Sequence, residues 1–278
     1  LMIGLGMVLI GLLFKVGAVP FHQWVPDVYQ GAPTAVTGFM AATVKIAAFG
    51  ALLRILYVAF GGLRWDWEPI IWITATLTML VGSILAVVQS DIKRMLAYSS
   101  VAQAGFILIG VAAASAAGIA STMFYLIAYG FTTIGAFAII TMVRDAGGEA
   151  TNLATWSGIG RKSPVVASAF AVFMLALAGI PLTSGFVGKF GVFAAAIEVG
   201  MVWLVIVGVV ASLIAAFFYI RVIVVMFFAQ PTDQTASVVV PSAFTTVALA
   251  AGAAVTVILG VVPQPVLDLV TNADVFIR

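Results

Sequence analysis

Apolar residues fill this chain in long unbroken stretches, and polar ones gather in the short intervals between them. About eight stretches approach the roughly 20 residues that a helix needs to cross a bilayer. They cover approximately 1–19, 35–60, 69–89, 94–114, 118–143, 164–198, 202–228 and 239–262. The intervals read VPDVYQGAP, GGLRWDWEP, QSDIKR, RDAGGEATN…GRKSP, QPTDQ and VPQP, all rich in turn-forming residues. The pattern predicts an all-α, polytopic transmembrane helical bundle forming a single domain over 1–278. Asp91 stands where it would cap the fourth helix, and Pro164 suits the first turn of the sixth.

Two of the stretches carry breaks. The sixth is too long for one straight crossing, and LAGIPLTSGFVGKF sets Gly179, Pro181 and Gly185 in its middle. Proline removes a helical hydrogen bond and clashes with the preceding turn, so this segment is expected to break inside the membrane. The first stretch ends on KVGAVPF, where Gly17 and Pro20 form a similar device. Paired interruptions of this kind point to a transporter built from repeats.

Composition narrows the class. Of 278 residues 64% are hydrophobic and only 8% charged, far from the ~25% charged of a soluble domain. The net charge is +2 and no basic run exceeds two residues, which speaks against a nucleic-acid partner. There is no cysteine, so thiolate metal sites, thiol nucleophiles and disulfides are excluded. No basic n-region or cleavage motif marks a signal peptide, and residue 1 already lies within an apolar stretch, so the chain is expected to continue upstream. Lys93 and Arg94 follow the third span, and Arg144, Arg161 and Lys162 the fifth. The intervening loops hold mainly Arg64, diluted by Asp66 and Glu68. Loops after odd-numbered spans are therefore expected on the cytoplasmic face and the C-terminus on the outer one.

Three lysines fall within spans: Lys15, Lys45 and Lys189. Each costs roughly 2.5–3.5 kcal/mol at a helix centre. Apolar neighbours return about 0.3–0.6 kcal/mol apiece, so the helices still insert. Small residues share their faces: Gly38, Ala41, Ala42 and Ala48 with Lys45, Gly4, Gly11 and Ala18 with Lys15, and Gly185 with Lys189. Such faces pack against helices or line water. Two readings follow: lysines that snorkel or form structural pairs, and lysines that line a polar pathway. The second suits lysine, because burial disfavours its charged form and a nearby charge restores it. Moving one charge against 150 mV takes about 3.5 kcal/mol, within reach of such a shift. Arg54, Glu198 and Arg221 lie nearer span ends and read as interface anchors.

Other polar groups stand between these lysines. Ser99, Ser100 and Gln103 share a face of the fourth helix, and the fifth adds Tyr125, Tyr129, Thr132 and Thr133. They either carry water or satisfy their own backbone. His22, the one histidine, is an interface residue or a point of proton intake.

VPFHQWVPDVYQGAPTAVTGFMAATVKIAAFG, DIKRMLAYSSVAQAGF and LAGIPLTSGFVGKF together resemble the antiporter-like membrane subunits of respiratory complex I, relatives of the large subunits of multi-subunit sodium/proton antiporters. Within that family, PDVYQGAPT and the lysine of TVKIAAFG look like the branch called subunit N. The resemblance implies two inverted five-helix repeats, each with one discontinuous helix: 1–60 ending the first, 69–228 forming the second, and 239–278 a C-terminal span and tail. It implies proton translocation through buried lysines and water, with Lys15, Lys45 and Lys189 matching the family's lysines. Where many relatives have histidine this chain has Gln103, which orders water but does not titrate, so water would have to link Lys45 toward Lys189.

The resemblance further implies a translocase subunit of NADH:quinone oxidoreductase in the bacterial cell membrane, coupled to electron transfer elsewhere. The chain itself would hold no cofactor and no metal, with FMN and iron–sulfur clusters in partner subunits. Its partners would be the lipid bilayer and other membrane subunits of the complex, especially a neighbouring antiporter-like one. The alternatives are a stand-alone cation/proton antiporter subunit and a structural spacer that scaffolds its neighbours. A charged Lys15 needs a counter-charge, and no acid within 1–278 is placed to serve, so the expected partner is a glutamate upstream of Leu1.

Overall fold

The computed structural model describes residues 2–272 and is a helical bundle whose polar interior is organised by two interrupted segments. The first comprises α1 (Met2–Val16) and α2 (Trp24–Gly31). Gly17 ends α1 with φ +75°, a conformation that an L side chain adopts only with strain. The non-helical stretch that follows includes the cis Val19–Pro20 peptide. Two polar groups here are partnered internally: the Val19 N–H donates to Thr78 Oγ1 at 3.0 Å, and Trp24 Nε1 donates to the Phe14 carbonyl at 2.9 Å.

The stretch after α2 is continuous in path but not in winding. α3 (Thr34–Phe39) passes through a π-helical turn at Met40–Val44 into α4 (Lys45–Arg54), and a second π turn covers Ile55–Ala59. Hydrophobic periodicity did not reveal these wide turns. A π turn adds a residue without ending the helix, and such turns concentrate at functional positions. Here one of them delivers Lys45.

α5 (Arg64–Val87) starts earlier than the expected residue 69 and takes Pro69 into its body. An Arg64–Glu68 ion pair at 2.7 Å and a bond from Trp67 Nε1 to the Phe60 carbonyl at 3.0 Å hold this first part helical. α6 (Ile92–Ala112) begins as expected, with the Asp91 carboxylate accepting from the Arg94 N–H at 2.8 Å. α7 (Ala116–Met142) is capped by Ser115. Almost all of α6 is buried, and its pairing with α5 is the most extensive in the molecule. Glycines permit that closeness. A Cβ at Gly82 would stand 2.5 Å from the Ala102 backbone nitrogen, and one at Gly105 would stand 2.6 Å from that of Met79.

The connection after α7 departs from an all-helical chain. β1 (Val143–Asp145), β2 (Gly148–Glu149) and β3 (Ser237–Val238) form a small antiparallel sheet in the order β2-β1-β3. Strands this short show no alternation, so the sequence reads as turn. The sheet connection folds over the start of α6, where the Ile92 N–H donates to the Thr151 carbonyl at 2.7 Å and the Leu153 N–H to the Ser90 carbonyl at 2.8 Å. The short α8 (Ile159–Lys162) follows.

The long sixth stretch breaks where expected. α9 (Pro164–Ala178) carries Pro164 in its first turn, and α10 (Ser184–Glu198) resumes after a five-residue gap. α11 (Val202–Phe228), α12 (Ala243–Val261) and α13 (Gln264–Thr271) complete the described residues. Among them, six helices are long and apolar enough to cross a membrane. The two interrupted segments bring the crossings to the eight that the hydrophobic pattern predicts. At the span ends, Arg54 and Glu198 are exposed, and Arg221 caps α5 through a 3.0 Å bond to the Val87 carbonyl.

A Cβ added at Gly185, in the first turn of α10, would run into the Ala176 carbonyl of α9. Gly185→Ala is therefore expected to push the two half-helices apart and destabilise the protein by about 1–3 kcal/mol. A thermal melt of the purified variant against the wild type measures this, and an unchanged midpoint would refute the close approach.

Candidate functional site

The break between α9 and α10 supplies unusual hydrogen-bond acceptors. A helix leaves its last four carbonyls without intrahelical donors. In α9 the first two are closed by a glycine cap: Gly179, at φ +84°, donates to Leu175 and Ala176, and Ile180 donates to Leu175, each at 3.0 Å. The last two are taken by side chains. Gln103 Nε2 of α6 donates to the Leu177 carbonyl at 2.8 Å, and Lys189 Nζ of α10 donates to the Ala178 carbonyl at 3.0 Å. Lys189 is only 5% exposed, and its ammonium also stands 4.4 Å from the Phe106 ring centroid. The partial negative charge at a helix C-terminus favours a cation at this spot. Gly179 is required twice over, because a Cβ there would come within 3.1 Å of Lys189 Nζ.

Gln103 extends the arrangement into the bundle. Its carbonyl oxygen accepts from the Tyr125 hydroxyl of α7 at 2.6 Å, and its amide nitrogen also donates to the Tyr219 hydroxyl of α11 at 3.2 Å. Tyr219 in turn shares a short hydrogen bond with Ser99 of α6. One residue on, Ser100 begins the second cluster. Lys45 Nζ bonds the Ser100 carbonyl and donates to its hydroxyl at 2.6 Å, and the Tyr129 hydroxyl donates to the same oxygen at 2.9 Å. The Lys45 ammonium lies 5.4 Å from the Tyr129 ring centroid and is 2% exposed. From α2, the Tyr29 hydroxyl approaches the Ser100 hydroxyl and faces Tyr129.

Lys45 with Ser100 and Tyr129, and Lys189 with the α9 carbonyls, Gln103, Tyr219 and Ser99, thus form two buried polar clusters that meet at the neighbouring residues Ser99 and Ser100 of α6; together they make a polar file with the lysines at its ends. Ser99, Ser100 and Gln103 all take part, as the shared helix face predicts. The small-residue face around Lys45 packs on α7, where a Cβ at Gly38 would be 2.9 Å from the Phe137 Cβ. Tyr125 and Tyr129 stand along the file, as the sequence suggests, and Tyr219 joins them.

Three of the candidate positions stand outside this file. Lys15 is exposed, not buried on a packed face. α1 packs on α4 through Leu5, Leu9, Leu13 and Val16, and Lys15 points roughly 115° away from the centre of that stripe. Gly4 and Gly11 have open space beside them too. No carboxylate pairs with Lys15 among the described residues. His22 is half-buried in the first break, and its Nδ1 is buried without a hydrogen-bond partner among the described residues; no bond joins it to the lysines. Thr132 is spent elsewhere, bonding the Ala128 carbonyl and Thr256 of α12, while Thr133 Oγ1 is buried without a partner.

Sequence reasoning missed Tyr219 and Tyr29. Tyr219 lies in AAFFYIR, where a phenol passes as one more aromatic of an apolar helix. It also missed the burial of Lys93, which read as a loop cation yet is 4% exposed.

Residues 1–215 match the family described as NADH:quinone oxidoreductase/Mrp antiporter, TM. NADH-quinone oxidoreductase subunit N of Rhodococcus opacus (strain B4) is 63% identical over 277 residues, covering 100% of this chain and 51% of that protein. NADH-quinone oxidoreductase subunit N 3 of Streptomyces griseus is 64% identical over 278 residues, covering 100% and 50%. The chain spans about half the length of the curated relatives it matches. Among solved structures, a chain of respiratory complex I from Thermus thermophilus with bound aureothin superposes with TM-score 0.83 at 34% identity, over 96% of this chain and 58% of that one. A chain of the Mrp complex from Dietzia sp. DQ12-45-1b gives 0.84 at 27% identity over the same shares. With the family matched over most of its length, the chain belongs to the transmembrane NADH:quinone oxidoreductase/Mrp antiporter family.

Proposed function

We propose that this chain moves protons across a bacterial cell membrane as part of an NADH–quinone oxidoreductase, using Lys45 and Lys189 as proton-bearing groups. The observation that carries this reading is the buried file between them, in which each lysine is held by an oxygen acceptor and every intervening group is a hydroxyl, an amide or a carbonyl. Hydroxyls donate and accept at once, so they pass a proton along without holding a charge. The Gln103 amide orders its neighbours and does not titrate, so the tyrosines and water carry the proton past it. Lys15 is the third lysine of the row, and His22, in the break that follows α1, is a point of proton intake.

Residues 69–228 form the second inverted repeat in this reading, with 1–60 ending the first and 239–278 as C-terminal span and tail. The bias of basic residues toward alternate loops supports a cytoplasmic position for Lys93, Arg144 and Arg161 and an outer one for the C-terminus. Electron transfer belongs to partner subunits holding FMN and iron–sulfur clusters, and the neighbours in the membrane include another antiporter-like subunit. A stand-alone cation/proton antiporter subunit is the second reading. The superposition on the Mrp chain favours it, and sodium-dependent proton transport without NADH oxidation would establish it.

Lys45→Met keeps the length of the side chain and removes the proton carrier. In the assembled complex it is expected to lose most NADH-driven proton pumping, measured as acidification of membrane vesicles. Lys45→Arg is expected to fail as well, because a guanidinium does not release its proton. Pumping at wild-type stoichiometry in Lys45→Met would overturn the proposal. Tyr219→Phe removes one oxygen and leaves Ser99 and Gln103 each short of a partner, at about 1–3 kcal/mol. It is expected to slow pumping severalfold while the complex still assembles; an unaltered rate would take Tyr219 out of the file.

A further inference from the structure

A second charged cluster lies at the start of α6. Lys93 Nζ donates to the Ala32 carbonyl at 2.8 Å and stands 3.6 Å from the Glu149 carboxylate. Glu149, on β2, accepts a short hydrogen bond from the Thr34 hydroxyl, yet its side chain remains 25% exposed. A buried ion pair is weak evidence for stability, because desolvation offsets most of the attraction. This pair joins an ammonium sealed in protein to a carboxylate that still reaches the surface.

The same face of α6 leads inward. Ser100 is seven residues from Lys93, two turns or about 10.5 Å along the helix. Tyr29 occupies the interval. Its main chain is held at the level of Lys93, because the Thr37 hydroxyl donates to the Tyr29 carbonyl at 3.1 Å and also lies 3.5 Å from the Ala32 carbonyl that Lys93 uses. Its phenol reaches Ser100 and Tyr129 beside Lys45 and is 2% exposed. Phe137 packs edge-on against the ring at 6.4 Å and Trp24 at 6.3 Å.

We infer that Glu149 and Lys93 form the site where protons are taken up from the aqueous face, and that the Tyr29 ring is the gate between that site and Lys45. The inference rests on the reading of Lys45 as a proton carrier. Glu149 takes a proton from water and releases it inward, regaining its charge opposite Lys93. Displacement of the Tyr29 ring lets the proton reach Ser100 and Lys45, and its return closes the way back.

The test uses the complete NADH–quinone oxidoreductase in phosphatidylcholine vesicles, with assembly checked for each variant. Glu149→Gln replaces one oxygen and keeps the Thr34 bond. It is expected to slow pumping about tenfold or more, less than the full 10²–10⁴ of a positioned acid–base group because water still delivers some protons. Azide, a small weak acid that ferries protons, is expected to restore the rate, which it would not do for a structural defect. Tyr29→Ala is expected to speed the passive decay of an imposed pH gradient severalfold, whereas Tyr29→Phe, which keeps the ring, is not. Wild-type pumping by Glu149→Gln, or a loss that azide does not recover, overturns the uptake site while Lys45→Met remains inactive. Wild-type pumping by Lys45→Met removes the pathway itself, and the uptake site with it.

Discussion

A charge inside a membrane protein survives only if something fixed is there to receive it, and here the receivers are carbonyls that a helix break sets free. The α9 C-terminus leaves four acceptors; a glycine cap closes two, and Gln103 and Lys189 close the others. Break and site are therefore one construction. A continuous helix over 164–198 would bond Leu177 and Ala178 internally, leaving Lys189 buried with no oxygen to hold it. Conversely, without Lys189 and Gln103 the break would expose two bare carbonyls to a low-dielectric interior, where each unsatisfied group costs several kcal/mol. The first break obeys the same rule through Thr78 and Trp24, which come from α5 and from α2 itself.

That mutual dependence explains what the sequence disclosed. Lys45 and Lys189 were legible because nothing in stability asks for a lysine at such positions, so their cost is itself a signal. Gly179, Pro181 and Gly185 were legible for a related reason: backbone chemistry leaves few uses for them in mid-span. Asp91 and Pro164 declared helix starts by capping rules that act locally and need no tertiary knowledge.

What stayed hidden depends on neighbours. Tyr219 enters the file through its distant position on α11, and its phenol looks apolar in a row of phenylalanines. The facing of Lys15 was inferred from small residues, but glycine at Gly4 and Gly11 is compatible with a packed face and with an open one alike. The π turn before Lys45 shifts the angular phase of everything beyond it, which a fixed helical period does not register. The sheet over Lys93 is invisible for lack of length: two or three residues per strand cannot show a period of two.

The pairing of α5 with α6 has an elastic consequence. Where Gly82 and Gly105 bring the two backbones into contact, no layer of side chains remains to shear, so the helices resist bending as a single laminated beam. Ser99, Ser100 and Gln103 ride on that beam and keep a constant spacing under load. Deformation must then concentrate in the compliant joints, the stretches around Gly17–Gln23 and Gly179–Thr183 that have no hydrogen-bond ladder to stiffen them. Movement at the Gly179–Thr183 joint is thus felt at the Lys189 end of the file, next to the Ala178 carbonyl, more than at its centre.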